Sequence, residues 1–346
     1  MRVSSFAPHP PARTGVADYA YTLEQKLRKL AGDTGPDVAL YHLGNNELHR
    51  GIYQRSLTHP GVVVLHDAVL THFLLGLLDE KTWTNEFVYN YGEWRRGFAG
   101  KLWRDRARSS ADPRYFEYPM LKRIAEAARV IIVHNPAAAR SVLRHAPRAC
   151  VVEIPHFFEP PQIRPILQRT GPLRAGVFGY FRESKRLPAI QRAVSAASSR
   201  GAEWELVLAG SFASTDLERA MAPLTCTGHL SREEFFKQAQ SVDVCINLRY
   251  PSAHETSGVG VQLMGLGKPV IFTAGEELAR LPEDTHLRVE HGPLEEETLT
   301  EYLIWLAENP EARSEIGRRA AAYIAREHNL QRVAGMFWDV LTTQDC

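Results

Sequence analysis

Residues 247–273 read NLRYPSAHETSGVGVQLMGLGKPVIFT, a polar, glycine-bearing turn set between two apolar runs. The run Val244 to Leu248 has the length and branching of a buried strand. After the loop a short helix is expected from about Val259 to Leu266, with Val259, Leu263 and Leu266 as an inward stripe. Gly267 ends that helix, and Pro269 prevents its continuation into the strand KPVIFT. Strand, loop, helix, strand is the unit of an open parallel sheet, and such sheets bind ligands beyond the carboxyl ends of their strands. The loop from Pro251 to Gly258 lies there, before a helix N-terminus with unpaired amides. Gly258 and Gly260 have no Cβ to keep a phosphate from the backbone. A carboxylate beside a phosphate is repelled, so Glu255 is expected to face neutral hydroxyls such as those of a sugar. The plainer alternative makes Glu255 a solvated loop residue and the glycines turn residues. A dinucleotide fingerprint is not met, because the third glycine falls at Gly265.

Outward from this stretch the same alternation runs through the chain twice. RVSSF, DVALYHL, GVVVLHD, ARVIIVHN and CVVEIPH are the strand candidates of the first half, and RAGVFG, WELVLAG, TCTGHL, DVCINLRY, KPVIFT and HLRVE those of the second. Amphipathic stretches such as GVADYAYTLEQKLRKL and PAAARSVLRHA lie between them. Ser231 and Glu234 form a capping box that starts the helix SREEFFKQAQ. A chain of 346 residues suits two domains with a cleft between them. The proline-bearing segment EPPQIRPILQRTGP, residues 159–172, marks their boundary. The expected division is a first α/β domain over residues 1–160, a linker over 161–172, a second α/β domain over 173–330 and a last helix over 331–346.

Composition excludes several classes. The net charge of +1 gives no global attraction to nucleic acid. Cys150, Cys226, Cys245 and Cys346 are far apart, so the spacing suggests neither a disulfide framework nor a zinc site. Neither a DxD nor an HExxH occurs, and no bound metal is expected. With no apolar run as long as a membrane span, the expectation is a cytoplasmic chain. One local patch departs from this balance. Residues 93–108, EWRRGFAGKLWRDRAR, interleave basic and aromatic side chains. They suit a peripheral contact at the inner face of a membrane or with a phosphorylated lipid, or else a helix that packs its aromatics inward and leaves its cations solvated.

The pattern P-S-x-x-E-x-x-G followed by G-K-P-V-I resembles the donor site of glycosyltransferase family 4, whose members have the GT-B architecture of two Rossmann-like domains facing a central cleft. Residues 6–20, FAPHPPARTGVADYA, are similar to the glycine-containing first loop of such enzymes, and residues 177–193, VFGYFRESKRLPAIQRA, to their phosphate-binding turn. Residues 42–53, 61–74 and 128–135 look like acceptor-domain segments of one bacterial branch. The resemblance implies transfer of a hexose from a nucleotide-diphosphate sugar to a sugar or lipid-linked sugar acceptor, with retention of configuration. It implies no cofactor, since the nucleotide sugar is a substrate, and a final helix that crosses back to the first domain.

The roles it implies follow the matching residues. Glu255 would hold hydroxyls of the transferred sugar, and the amides of Thr256, Ser257 and Gly258 would face the sugar and diphosphate. Lys185 would neutralise the leaving diphosphate, where charge accumulates as the glycosidic bond breaks. The family's arginine position holds Tyr180, so Arg182 or Arg186 must supply the second positive charge. Gln262 stands where the family has a glutamate on the ribose. His66 and Asp67 close the strand GVVVLHD at its carboxyl end and match a region that touches donor sugar or acceptor, and His134 ends VIIVH by the same logic. Gly15, Asn45 and Asn46 are the remaining acceptor candidates, the asparagines being equally suited to a turn. Two other functions fit the architecture: a catalytically silent nucleotide-sugar-binding protein, and a nucleotide-sugar epimerase.

Overall fold

The structure, a computed structural model, describes residues 2–343 except 13, 32–36 and 163–170. The chain forms two compact units: Met1–Phe157 with Pro251–Thr256 and Leu330–Cys346, and Phe158–Tyr250 with Ser257–Asn329. Most of the expected linker over 161–172 lies outside the described residues.

The first unit holds a five-stranded parallel sheet in the order β1 (Arg2–Phe6), β2 (Asp37–Leu43), β3 (Val62–Leu65), β4 (Val130–Val133), β5 (Val151–Glu153). Its inner strands are buried on both faces. Side chains alternate across a strand with period two. Val62, Val64, Val130 and Ile132 therefore enter one core with Leu23, Leu27 and Phe337, while Val63, Leu65, Ile131 and Val133 enter the other with Trp83, Phe87 and Tyr115. The first of these cores is closed by the helices Gly15–Arg28 and Leu330–Thr343, so the last helix belongs to this unit as expected.

In the helix Arg96–Asp105, Ala99, Leu102 and Trp103 are buried, and Lys101 and Arg104 are exposed. The inward reading of this segment therefore holds for all but Trp94, which is 76% exposed beneath the Arg95 guanidinium.

The second unit holds a second five-stranded parallel sheet in the order β10 (Leu287–Val289), β9 (Val270–Thr273), β8 (Val244–Asn247), β6 (Leu173–Phe181), β7 (Trp204–Phe212). Two expectations are corrected here. TCTGHL makes only an isolated bridge, Cys226 to Leu208. The chain leaves the sheet edge at once, because Thr227 turns its hydroxyl to the Gly210 amide and Gly228 takes φ +79°. The helix of the opening stretch spans Gly258–Gly265 and buries Val261, Leu263 and Met264. Val259 and Leu266 are only half-buried, since so short a helix is oriented by its ends as much as by its stripe. Gly267 ends it at φ +75°, as expected.

Cys226 and Cys245 are free, but Cys150 is disulfide-bonded, against the expectation. Spacing along the chain reveals only local cysteine pairs. No helix among the described residues is long and apolar enough to cross a membrane.

Candidate functional site

The loop 251–256 is sewn into the first unit. Ala68, just beyond β3, donates its amide to the Ala253 carbonyl at 2.9 Å. Asn135, just beyond β4, donates from Nδ2 to the His254 carbonyl at 2.9 Å and to Thr256 Oγ1 at 3.0 Å, and Thr256 Oγ1 donates to the His134 carbonyl at 3.1 Å. The same asparagine caps the helix Pro136–His145 through Oδ1, which accepts from the Ala138 amide. Within the loop, Glu255 Oε2 accepts from the Ala253 amide at 2.8 Å, across His254 at φ +56°. A half-buried carboxylate is thereby fixed on a loop tied to the carboxyl ends of two strands.

His66 and Asp67 follow β3 and His134 follows β4, as the sequence places them. His66 Nε2 lies 3.0 Å from Nδ1 of His42 on β2. His134 is buried with Nδ1 on the Ile154 carbonyl at 2.8 Å. The Tyr19 ring sits among His42, His66, His134 and His156, with centroid distances of 4.7–6.0 Å. Burial, then mutual repulsion, holds His42 at about 3 and His66 well below the usual imidazole range, so both rings are neutral at physiological pH.

The asparagines are structurally committed. Asn45 accepts from the Phe73 amide at the start of the helix Thr71–Leu77 and donates its own amide to Asp67 Oδ2, both at 2.8 Å. Asn46 accepts from the Leu48 amide. Gly15 opens its helix in an exposed position.

In the second unit, Lys185 is 6% exposed and donates from Nζ to Asn247 Oδ1 at 2.9 Å. Asn247 Nδ2 donates to Ser257 Oγ at 2.8 Å, and Ser257 Oγ also accepts from the Gly260 amide at 3.1 Å, capping the helix Gly258–Gly265. A hydroxyl that accepts twice keeps its own hydrogen to donate. The close fit requires glycine at 260, where a Cβ would stand 2.6 Å from the Phe272 ring.

The structure separates the two arginines. Arg186, at φ +58°, donates to the buried Glu295 carboxylate at 2.9 Å, and His291 Nδ1 lies 2.5 Å from the other oxygen of that carboxylate. Arg182 is exposed, with its guanidinium 5.4 Å from the centre of the Tyr180 ring. Gln262 Oε1 is covered and has no protein partner among the described residues. Sequence reasoning missed Asn135, Asn247 and His42. Asn135 carried a signal, the Asn-Pro pair of a capped helix, whereas His42 and Asn247 sit inside apolar strand runs with none.

No group of three or more His, Cys, Asp or Glu side chains among the described residues is arranged to hold a metal ion. No protein-family model matches the chain, and no curated protein matches it in sequence. Solved structures match its fold. A structure of Anabaena HepE in complex with UDP and glucose aligns over 99% of this chain and 100% of its own, with a TM-score of 0.63 at 12% identity. Sucrose-phosphate synthase from Thermosynechococcus elongatus aligns over 94% of this chain and 77% of its own, with a TM-score of 0.61 at 17% identity. The chain has the GT-B fold. The pneumococcal O-GlcNAc transferase GtfA, in complex with UDP and GlcNAc, also matches, at 12% identity and a TM-score of 0.58, although this chain spans only 60% of its length. Within the GT-B fold His66, Asp67, His134, Asn135, Lys185 and Glu255 lie beyond the carboxyl ends of β3, β4, β6 and β8, and His42 and Asn247 close to those of β2 and β8, where open parallel sheets bind their ligands.

Proposed function

We propose that this GT-B chain is a family 4 glycosyltransferase that moves a hexose from a nucleotide-diphosphate sugar to a hydroxyl of a sugar or lipid-linked sugar, with retention of configuration, in bacterial glycan or glycolipid assembly. The observation that carries the reading is Glu255, a carboxylate held by its own loop amide on a segment bonded to the ends of β3 and β4, where His66, Asp67 and His134 follow. A carboxylate accepts from hydroxyls and repels phosphate, so a sugar suits it better than a diphosphate.

Lys185 meets the leaving diphosphate together with the Ser257 hydroxyl and the amides that open the helix Gly258–Gly265. Arg182 supplies the second charge, because Arg186 is engaged with Glu295. Thr256 is chiefly a fastener of the loop. A front-face reaction needs no protein base, since the departing phosphate oxygen takes the acceptor proton. His66, held well below the usual imidazole range by burial, is a poor base, in agreement with that, and Lys185 and Arg182 do the work of a metal ion. A peripheral membrane contact is supported by the exposed aromatic Trp94 on the same segment as the solvated Lys101 and Arg104.

The test is a thermal-shift panel of uridine, guanosine, adenosine and thymidine diphosphates, followed by product analysis with the matching nucleotide sugars in excess chelator. Transfer with retained configuration is expected. Binding without turnover identifies a silent binding protein, and an altered donor sugar identifies an epimerase. Glu255→Ala should abolish transfer and leave nucleoside diphosphate binding intact. Equal loss of both would remove the sugar from Glu255.

A further inference from the structure

The histidine pair of the first unit does more than fill space. His42 lies on β2, and His66 continues the ladder after β3 through its amide on the Leu43 carbonyl at 2.8 Å. Their rings are within 18° of parallel with centroids 5.3 Å apart, and Nδ1 of His42 is 3.0 Å from Nε2 of His66. This is an edge-to-edge hydrogen bond between two imidazoles. One proton occupies it, and the question is which ring owns that proton.

The surroundings decide. His42 is 1% exposed, and its other nitrogen, Nε2, is buried with no partner among the described residues. If His66 donated from Nε2, neutral His42 would have to carry its proton on Nε2 and bury an orphaned N–H. If His42 donates from Nδ1, the orphan is only a lone pair. A buried donor without a partner is the costlier and rarer of the two. Neighbouring His49 follows the same rule, with Nδ1 on the His42 carbonyl at 2.9 Å and its buried Nε2 without a partner among the described residues.

We infer that His42 is a positioning residue that fixes His66 as the Nδ1–H tautomer, so that His66 offers a standing hydrogen-bond donor to a ligand oxygen and cannot act as a base. With Nε2 accepting from His42, neutral His66 has no lone pair left to receive a proton. His66 is half-buried and has no other protein hydrogen bond among the described residues, which leaves its Nδ1–H for a ligand. The rings of Tyr19 and His134 hold it in place, with centroids at 5.0 and 5.3 Å. The transferase reading names the oxygen as one of the bound sugar. The tautomer does not depend on that reading.

The test is long-range proton–nitrogen correlation on protein carrying nitrogen-15 histidine, with His66 assigned by its loss in His66→Gln. Between pH 7.5 and pH 5.5 the wild type should show His66 protonated at Nδ1 and bare at Nε2. His42→Phe removes the donor, so His66 should shift toward the Nε2–H form, and kcat should fall roughly ten- to a hundred-fold with KM for the nucleotide sugar little changed. His42→Asn, whose amide nitrogen reaches the place of Nδ1, should restore both the spectrum and most of kcat. A wild-type His66 protonated at Nε2, or His42→Asn no better than His42→Phe, would overturn the inference. If no nucleotide sugar turns over at all, the transferase reading fails while the wild-type spectrum still decides the tautomer.

Discussion

Lys185 and Gln262 show how far one side chain can be read from its setting. Lys185, expected from the resemblance to meet a diphosphate, is buried with its ammonium on Asn247. Removing it therefore does two things. Lys185→Ala leaves Asn247 Oδ1 without that donor and should cost about 1–3 kcal/mol of stability. It should also weaken a nucleoside diphosphate far more than the free nucleoside, because only the diphosphate meets the charge. Titration of both ligands against the variant checks this, and equal weakening would make Lys185 purely structural. Gln262 leads to a different expectation. Its Oε1 is covered and has no partner among the described residues, so Gln262→Glu would place a carboxylate oxygen where water does not reach. Burial raises the pKa of such a group, and the variant should lose more stability at pH 8 than at pH 5. Denaturant midpoints at the two pH values measure it, and an unchanged midpoint at pH 8 would show that the position opens to solvent.

At the scale of elements the loop 251–256 is the instructive case. The polar residues before Gly258 announced a turn beyond β8 with Glu255 in it. What holds the loop was not visible, because Ala68, His134 and Asn135 lie more than a hundred residues away along the chain and become neighbours only through the parallel order of β3 and β4. The strand TCTGHL failed for a related reason, since its threonines favour a strand while its pairing at the sheet edge is cut off by Thr227 and Gly228. Asn135 permits a clean dissection. Asn135→Asp keeps the cap on Ala138 but loses both donors to the loop, whereas Asn135→Ala loses cap and clamp together. The alanine variant should cost about 2–4 kcal/mol, and the aspartate variant, whose buried carboxylate would face the His254 carbonyl, at least as much although it keeps the cap. Both should slow any reaction that needs Glu255 in place. Urea unfolding and turnover, measured together, test this; an aspartate variant with wild-type turnover would show that the loop holds without Asn135.

At the scale of the whole molecule, the two sheets were legible because buried parallel strands are written as apolar runs, and ten of eleven expected strands form. The histidines were not legible as a group. They come from separate strands and meet only because parallel strands end on the same side, so His42, His66, His134 and His156 share one buried neighbourhood around Tyr19. That gathering has a consequence for stability. His42 is held at about 3 and His66 is lowered by burial and by the other histidines, with His9 and His49 adding to the repulsion on His42. In the second unit, burial and Arg288 lower His286 to about 4. Above pH 6.5 these rings are neutral whether the chain is folded or unfolded, and they make stability independent of pH. Below 6.5 the unfolded chain takes up protons that the folded chain refuses, so stability falls with pH. Each such ring contributes about 1.4 kcal/mol per pH unit until its folded pKa is reached. The melting temperature should be flat from pH 8 to 7 and drop steeply between pH 6.5 and 5. In His42→Asn, where one of these rings is gone, the drop should be shallower. Calorimetry of the two proteins across that range is the measurement, and parallel curves would mean that His42 is not buried as a neutral ring.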